Sequence, residues 1–180
     1  GEVFQLAKAR DLEATAAEYE QVIRAKTATL FAAAAEVGAL AGGADTDGRT
    51  ALRAYGLELG LAFQLVDDVL DYRGEGDAMG KNTGDDLREG KMTLPVILAL
   101  EEANPGEREI IAAVLGKPDA SDTALAQVVA ILNRHRTLDR TIDEAQGHVG
   151  RARTALDALP VSEMRTLLSD IAEFYVSRAY

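Results

Sequence analysis

Three aspartates stand in the stretch Phe63-Gln64-Leu65-Val66-Asp67-Asp68-Val69-Leu70-Asp71, among apolar neighbours. Asp67 and Asp71 are four residues apart, which on a helix puts both carboxylates on one face. Gln64, three residues before Asp67 and four before Asp68, joins the same patch. A carboxylate buried without a partner costs several kcal/mol. Near a helix C-terminus the dipole disfavours each one by a further ~0.3–1 kcal/mol. Arg73 is the only cation close by in the sequence. Carboxylates so placed require a cation from outside, and grouped oxygens suit a hard one. Mg²⁺ takes one or two carboxylates and fills its octahedron with water and substrate phosphate. The alternative is a solvated helix end with a charge cluster, an arrangement that suits a polar helix.

The element that carries these acids is not polar. Leu57, Leu61, Leu65 and Val69 recur every four residues, and Leu59, Ala62, Phe63, Val66 and Leu70 cover the other faces. Helix spacing with apolar residues nearly all round predicts a buried helix, running from Thr46 or Asp47 to Tyr72. Gly74 and Gly76 mark its end. Residues 74–92 then form a polar, glycine-rich segment longer than an ordinary helix connection, and such loops are often functional. Lys81 and Lys91 each follow a glycine within it. Lysines there can close over phosphate oxygens as point charges, with the segment acting as a mobile lid. Lys26 and Thr27 lie on another helix, next to the small residues Ala32–Ala35 and Gly38. A single lysine reads as a solvated surface group. Three lysines with an acid cluster and a glutamine read as a diphosphate site.

The rest of the chain supplies helices. Gly1–Arg10 has the pattern of a helix interior, and Thr15-Ala-Ala-Glu18 is a capping-box sequence. Thr93-Leu94-Pro95 opens a helix that closes at Asn104-Pro105-Gly106, and further helices are expected over 107–115, 122–133, 138–159 and 162–179. The chain has 180 residues, 47% of them hydrophobic, enough for one helical domain spanning 1–180. With 30 acidic and 19 basic residues the net charge is -11, which argues against a nucleic-acid partner. There is no cysteine, so neither disulfides nor thiolate chemistry are available, and a cytoplasmic protein fits. The apolar run at 57–70 is too short to span a membrane and ends in acids. His135 and His148 are read as surface or structural groups.

Taken together, Lys26-Thr27-Ala28, Phe63-Gln64-x-x-Asp67-Asp68-x-x-Asp71 and Gly80-Lys81-x-x-Gly84-x-Asp86-Leu-x-x-Gly90-Lys91-x-Thr93-Leu94-Pro95 resemble the trans-isoprenyl diphosphate synthases, or polyprenyl synthetases. The resemblance implies an all-α isoprenoid-synthase-type helical bundle. It implies that Asp67, Asp68 and Asp71 bind Mg²⁺ bridging to an allylic diphosphate. Lys26, Lys81 and Lys91 match diphosphate-binding lysines, and Thr27 and Gln64 match residues facing the developing allylic cation. Isopentenyl diphosphate is the second substrate, the product is lipid-like, and a homodimer is expected. The wording Gly84-Asp-Asp-Leu-Arg-Glu-Gly-Lys91 and the end Tyr175–Tyr180 are similar to long-chain synthases of the quinone-tail type.

The family's first aspartate-rich motif does not precede Lys26. The chain is therefore expected to be the C-terminal portion of such a synthase and inactive in isolation. Two other readings stand beside the enzyme. One is a non-catalytic partner subunit that supports a dimer and modulates product length. The other is a helical module whose acids hold Ca²⁺, which the neighbouring lysines oppose. An uncovered face of the central helix would leave an apolar patch that drives self-association.

Overall fold

A computed structural model of the chain describes residues 1–73 and 84–178. Among these residues it holds α-helices, one π-helical turn, one 3₁₀ turn and no strand, so the all-α expectation holds. The helices are α1 (Glu2–Ala7), α2 (Ala16–Ile23), α3 (Thr29–Ala41), α4 (Thr46–Arg73), α5 (Asp85–Glu89), α6 (Leu94–Glu102), α7 (Pro105–Val114), α8 (Asp122–Arg134), α9 (Thr137–Ala155) and α10 (Glu163–Ser177). The π turn is Arg24–Ala28 and the 3₁₀ turn Leu156–Ala158. The chain divides into two compact units. One comprises Gly1, Ile23–Val66 and Ile142–Tyr180, the other Glu2–Val22 and Asp67–Thr141.

In the first unit, α3 and α4 meet through small residues. A Cβ added at Gly60 would lie 2.6 Å from Ala28 Cα, and one at Gly56 would lie 2.9 Å from Ala35 Cβ. Two glycines one turn apart on α4 thus let the α3 backbone come close. Leu61, Ala62, Leu65 and Val66 from α4 are buried with Ala28 and Ala32, as are Ile142, Ala145, Val149 and Ala152 of α9 and Ala172 and Val176 of α10. Phe63 stacks between Phe31 and Tyr175, with ring centroids 5.4 and 5.2 Å away. His148 is buried and sits 2.7 Å from Glu58, which also accepts from Arg151 at 2.9 Å. Burial works to raise the Glu58 carboxyl, and the bonds from His148 and Arg151 overcome it to hold the group below its usual range. The exposed large apolar side chains of this unit are Leu30, Val37 and Leu40 on α3, Val161 before α10, and Met164, Leu167 and Phe174 on α10. None lies on α4, so the apolar exposure expected of the central helix falls on its neighbours instead.

In the second unit, Thr15 and Glu18 form the expected capping box for α2, with Thr15 N–H donating to Glu18 Oε2 at 3.0 Å and Glu18 N–H to Thr15 Oγ1 at 3.3 Å. A second box was missed. Asn104 caps α7 by accepting from Glu107 N–H at 3.0 Å, while Glu107 accepts from Asn104 N–H. The helix therefore starts at Pro105, a residue tolerated in a first turn. Leu87, Val96, Ile97, Ile111, Val114, Leu125, Val128 and Leu132 are buried. Two boundaries differ from expectation. Helix α1 ends at Ala7, before Arg10, whose φ is 62°. Residues 85–89, expected as loop, are helical between Gly84 and Gly90, both left-handed, at φ 76° and 84°. Glycine takes that conformation without the penalty a Cβ brings.

Gly60→Val should lower stability by ~1–3 kcal/mol, because the branched side chain overpacks the α3–α4 contact. Gly150→Ala should raise it by about 0.5–1 kcal/mol, since a Cβ there meets nothing within 4 Å and lies inside α9. Denaturant midpoints with an unchanged slope are the measurement.

Candidate functional site

The last turns of α4 carry the aspartates, and the structure gives each a different environment. Asp67 is exposed. Asp68 is 2% exposed and its Oδ2 accepts from the Tyr19 hydroxyl at 2.5 Å. Burial, then the Asp68 charge, push the Tyr19 phenol well above its usual range, so it stays a donor. Asp71 is half-buried. Its Oδ2 accepts from Asp86 N–H at 3.3 Å and its carbonyl from Gly84 N–H at 2.8 Å. Those two bonds tie the start of α5 to the end of α4. Burial, followed by repulsion from Asp86, raises the Asp71 carboxyl to about 7.

Lys91 is drawn into the same group. Its Nζ is 2.7 Å from Asp86 Oδ1 and 2.8 Å from Glu89 Oε2. Burial opposes its charge, yet the bonds to Asp86 and Glu89 prevail and hold the ammonium above its usual range. Lys91 is thus bound to acids rather than extended from a loop. The Tyr72 and Thr93 hydroxyls are 3.2 Å apart, and both residues are buried. Lys81 and the rest of 74–83 lie outside the described residues.

In the other unit, Lys26 and Thr27 sit in the π turn. Thr29 N–H donates to Arg24 O across the five-residue step that defines such a turn, and Thr29 Oγ1 donates to the same carbonyl at 2.8 Å. π turns inside α-helices occur frequently at functional sites. Thr27 Oγ1 donates to Gln64 Oε1 at 2.8 Å, so those two sequence-selected residues do meet. Lys26 is half-buried.

Among the described residues no three His, Asp or Glu side chains form a group that could hold a metal ion. Asp68 is turned to Tyr19, and Asp71 neighbours Asp86. Mg²⁺ needs only one or two carboxylates when phosphate and water complete its shell. An acid raised to about 7 beside a second acid has the electrostatic deficit that a cation relieves. The donor set, all oxygen, fits a hard divalent ion. Two residues went unselected in the sequence. Asp86 carried a local signal, a carboxylate between two glycines and five residues before a selected lysine. Tyr19 carried none, being 49 residues from its partner.

A pH dependence follows for the ligand-free protein. The folded state holds the Asp71 proton up to about 7, whereas the unfolded chain releases it near the ordinary aspartate value, 3.8. Between those values the folded state binds more protons, so this group's contribution makes stability fall as pH rises. Asp71→Asn should therefore be more stable than the parent at pH 8, with the difference shrinking towards pH 4. Unfolding midpoints across that range measure it, and a difference independent of pH would contradict the assignment.

The comparisons with known proteins agree with one another. The chain is 41% identical over its whole length to octaprenyl diphosphate synthase of Haemophilus influenzae and covers 54% of that protein. It matches the crystal structure of a decaprenyl diphosphate synthase from Rhodobacter capsulatus with a TM-score of 0.90 and 46% identity, over 99% of this chain and 55% of that one. A polyprenyl synthase from Caulobacter crescentus, complexed with calcium and isoprenyl diphosphate, matches with a TM-score of 0.92 and 43% identity, again over 99% and 55%. The chain spans about half the length of the curated relatives it matches. The family model for polyprenyl synthetase matches residues 1–132. With its all-α isoprenoid-synthase fold, the chain belongs to the polyprenyl synthetase family.

Proposed function

We propose that this chain carries the allylic-diphosphate part of a trans-prenyltransferase, which joins isopentenyl diphosphate to an allylic diphosphate and yields a polyprenyl diphosphate. The observation that carries the reading is the half-buried Asp71 carboxyl beside Asp86, with Lys91 bound to Asp86. Such a group is short of positive charge in the way a metal–diphosphate site requires. The family membership and the neighbour complexed with calcium and isoprenyl diphosphate support it.

In this reading Asp67 and Asp71 would hold Mg²⁺, with Asp86 the acid next to Asp71. Bound there, the ion would supply positive charge to the leaving diphosphate. Asp68 steadies the end of α4 through Tyr19. Lys26 and Lys81 bind phosphate oxygens. Lys91 keeps Asp86 in place and exchanges its carboxylate partners for phosphate when substrate arrives. The allylic C–O bond breaks with its electron pair passing to the diphosphate. The Thr27 hydroxyl donates its hydrogen bond to Gln64, so its oxygen lone pairs are free to face the cation that forms. The double bond of isopentenyl diphosphate supplies the electrons for the new C–C bond, and the released diphosphate takes the proton lost. Apolar walls keep water from the cation.

A cytoplasmic homodimer completes the proposal. No helix among the described residues is long and apolar enough to cross a membrane. The relatives' greater length makes the full-length protein the one to assay. There, Asp67→Ala should cut prenyl transfer by roughly a hundredfold or more, as loss of a transition-state electrostatic contact does. Its thermal stability should be kept, since the carboxylate is exposed. Transfer unchanged in Asp67→Ala would refute the role.

A further inference from the structure

Arg10 has a backbone conformation that only Arg136 shares among the described non-glycine residues, with φ at 62°. A side chain there is strained, and such strain persists where the surroundings over-determine it. The surroundings are two glycines. Arg10 N–H donates to Gly90 O at 2.9 Å. A Cβ on Gly90 would lie 2.9 Å from Arg10 Cγ and 3.2 Å from Gly116 Cα. A Cβ on Gly116 would lie 2.8 Å from Arg10 Cδ. Both glycines are left-handed, at φ 84° and 70°. Gly116 N–H donates to Leu87 O at 2.9 Å, and Gly90 N–H to the same carbonyl at 3.0 Å. The Arg10 stem therefore closes three segments on one another: the turn after α1, the end of α5 and the turn after α7. The residue that follows Gly90 is Lys91, whose N–H donates to Asp86 O at 2.9 Å and whose Nζ holds Asp86 Oδ1.

We propose that Arg10 is a positioning residue for the Asp86–Lys91 arm. Its stem occupies the space the two glycines leave open and so fixes Lys91 and Asp86 beside Asp71. The contacts are made by the stem and the start of the guanidinium, and no ion pair of Arg10 is found among the described residues, so shape rather than charge does the positioning. The inference rests on the reading of Asp71, Asp86 and Lys91 as part of a diphosphate site.

The test uses the full-length protein and two readouts: hydrogen exchange of the amides of 86–91 without ligand, and affinity for inorganic diphosphate at fixed Mg²⁺. Arg10→Gly keeps the positive φ accessible and removes the stem. Exchange at 86–91 should quicken by about tenfold or more while residues 128–132 of α8 stay unchanged. Diphosphate affinity should fall by about three- to tenfold, as displaced binding groups lose contact. Arg10→Met keeps an unbranched stem without the charge and should stay within about twofold of the parent in both. Where Arg10→Gly fails to fold, Gly116→Ala, whose Cβ strikes the same stem, carries the same expectation. Unchanged exchange and affinity in the stem-disrupting variant would overturn the proposal. Equal losses in Arg10→Met and Arg10→Gly would overturn it too, by making the charge the agent. A parent protein that binds no diphosphate would sink the site reading alone, and the exchange result would then decide the role of Arg10.

Discussion

The structure around the end of α4 depends on one half-buried acid, Asp71, held beside a second. Asp71 and Asp86 are held together by the bond from Asp86 N–H, in surroundings dry enough to raise the Asp71 carboxyl to about 7. The negative end of the α4 dipole adds to the crowding. An arrangement selected for stability alone would place a cation between the two acids. Instead Lys91 approaches Asp86 from the side of Glu89, leaving Asp71 to its proton. The Gly84 and Asp86 amides pin the return of the chain to Asp71, and Arg10 closes the far end at Gly90. The Asp86 amide and the Lys91 charge counter the rise of the Asp71 carboxyl without cancelling it, so burial and the neighbouring acids prevail.

Much of this was legible in the sequence because its signals are local. The four-residue recurrence of apolar side chains set α4 to within a residue at each end, and the Thr15/Glu18 box announced α2. The Asp67/Asp71 spacing and the glycine-preceded lysines pointed to the residues that the proposed function uses. What escaped has physical reasons. Helix α5 is too short to show a period, and its ends are fixed by the left-handed Gly84 and Gly90 rather than by polar caps. The π turn at Arg24–Ala28 has no residue pattern of its own, since Arg-Ala-Lys-Thr-Ala would read equally as α-helix. The Tyr19–Asp68 bond joins positions 49 residues apart in the chain, so no local pattern on α4 announces it.

The same distinction separates fold from chemistry in the functional account. Family membership rests on a match to residues 1–132 and on relatives about twice the length of this chain. The residue roles rest on the environments found here. Thr27 and Gln64 already meet, so in the proposed function the dipoles facing a developing cation would be set before any substrate arrives. The acid group, by contrast, would be balanced in the proposed function only with a cation and a phosphate ligand both bound.

That mutual dependence gives the most direct test. Mg²⁺ is titrated by calorimetry into the protein with and without inorganic diphosphate. The account predicts weak binding to the protein alone and far tighter binding when diphosphate is present, because phosphate oxygens complete a shell that one or two carboxylates begin. Equal affinity in the two titrations would contradict it.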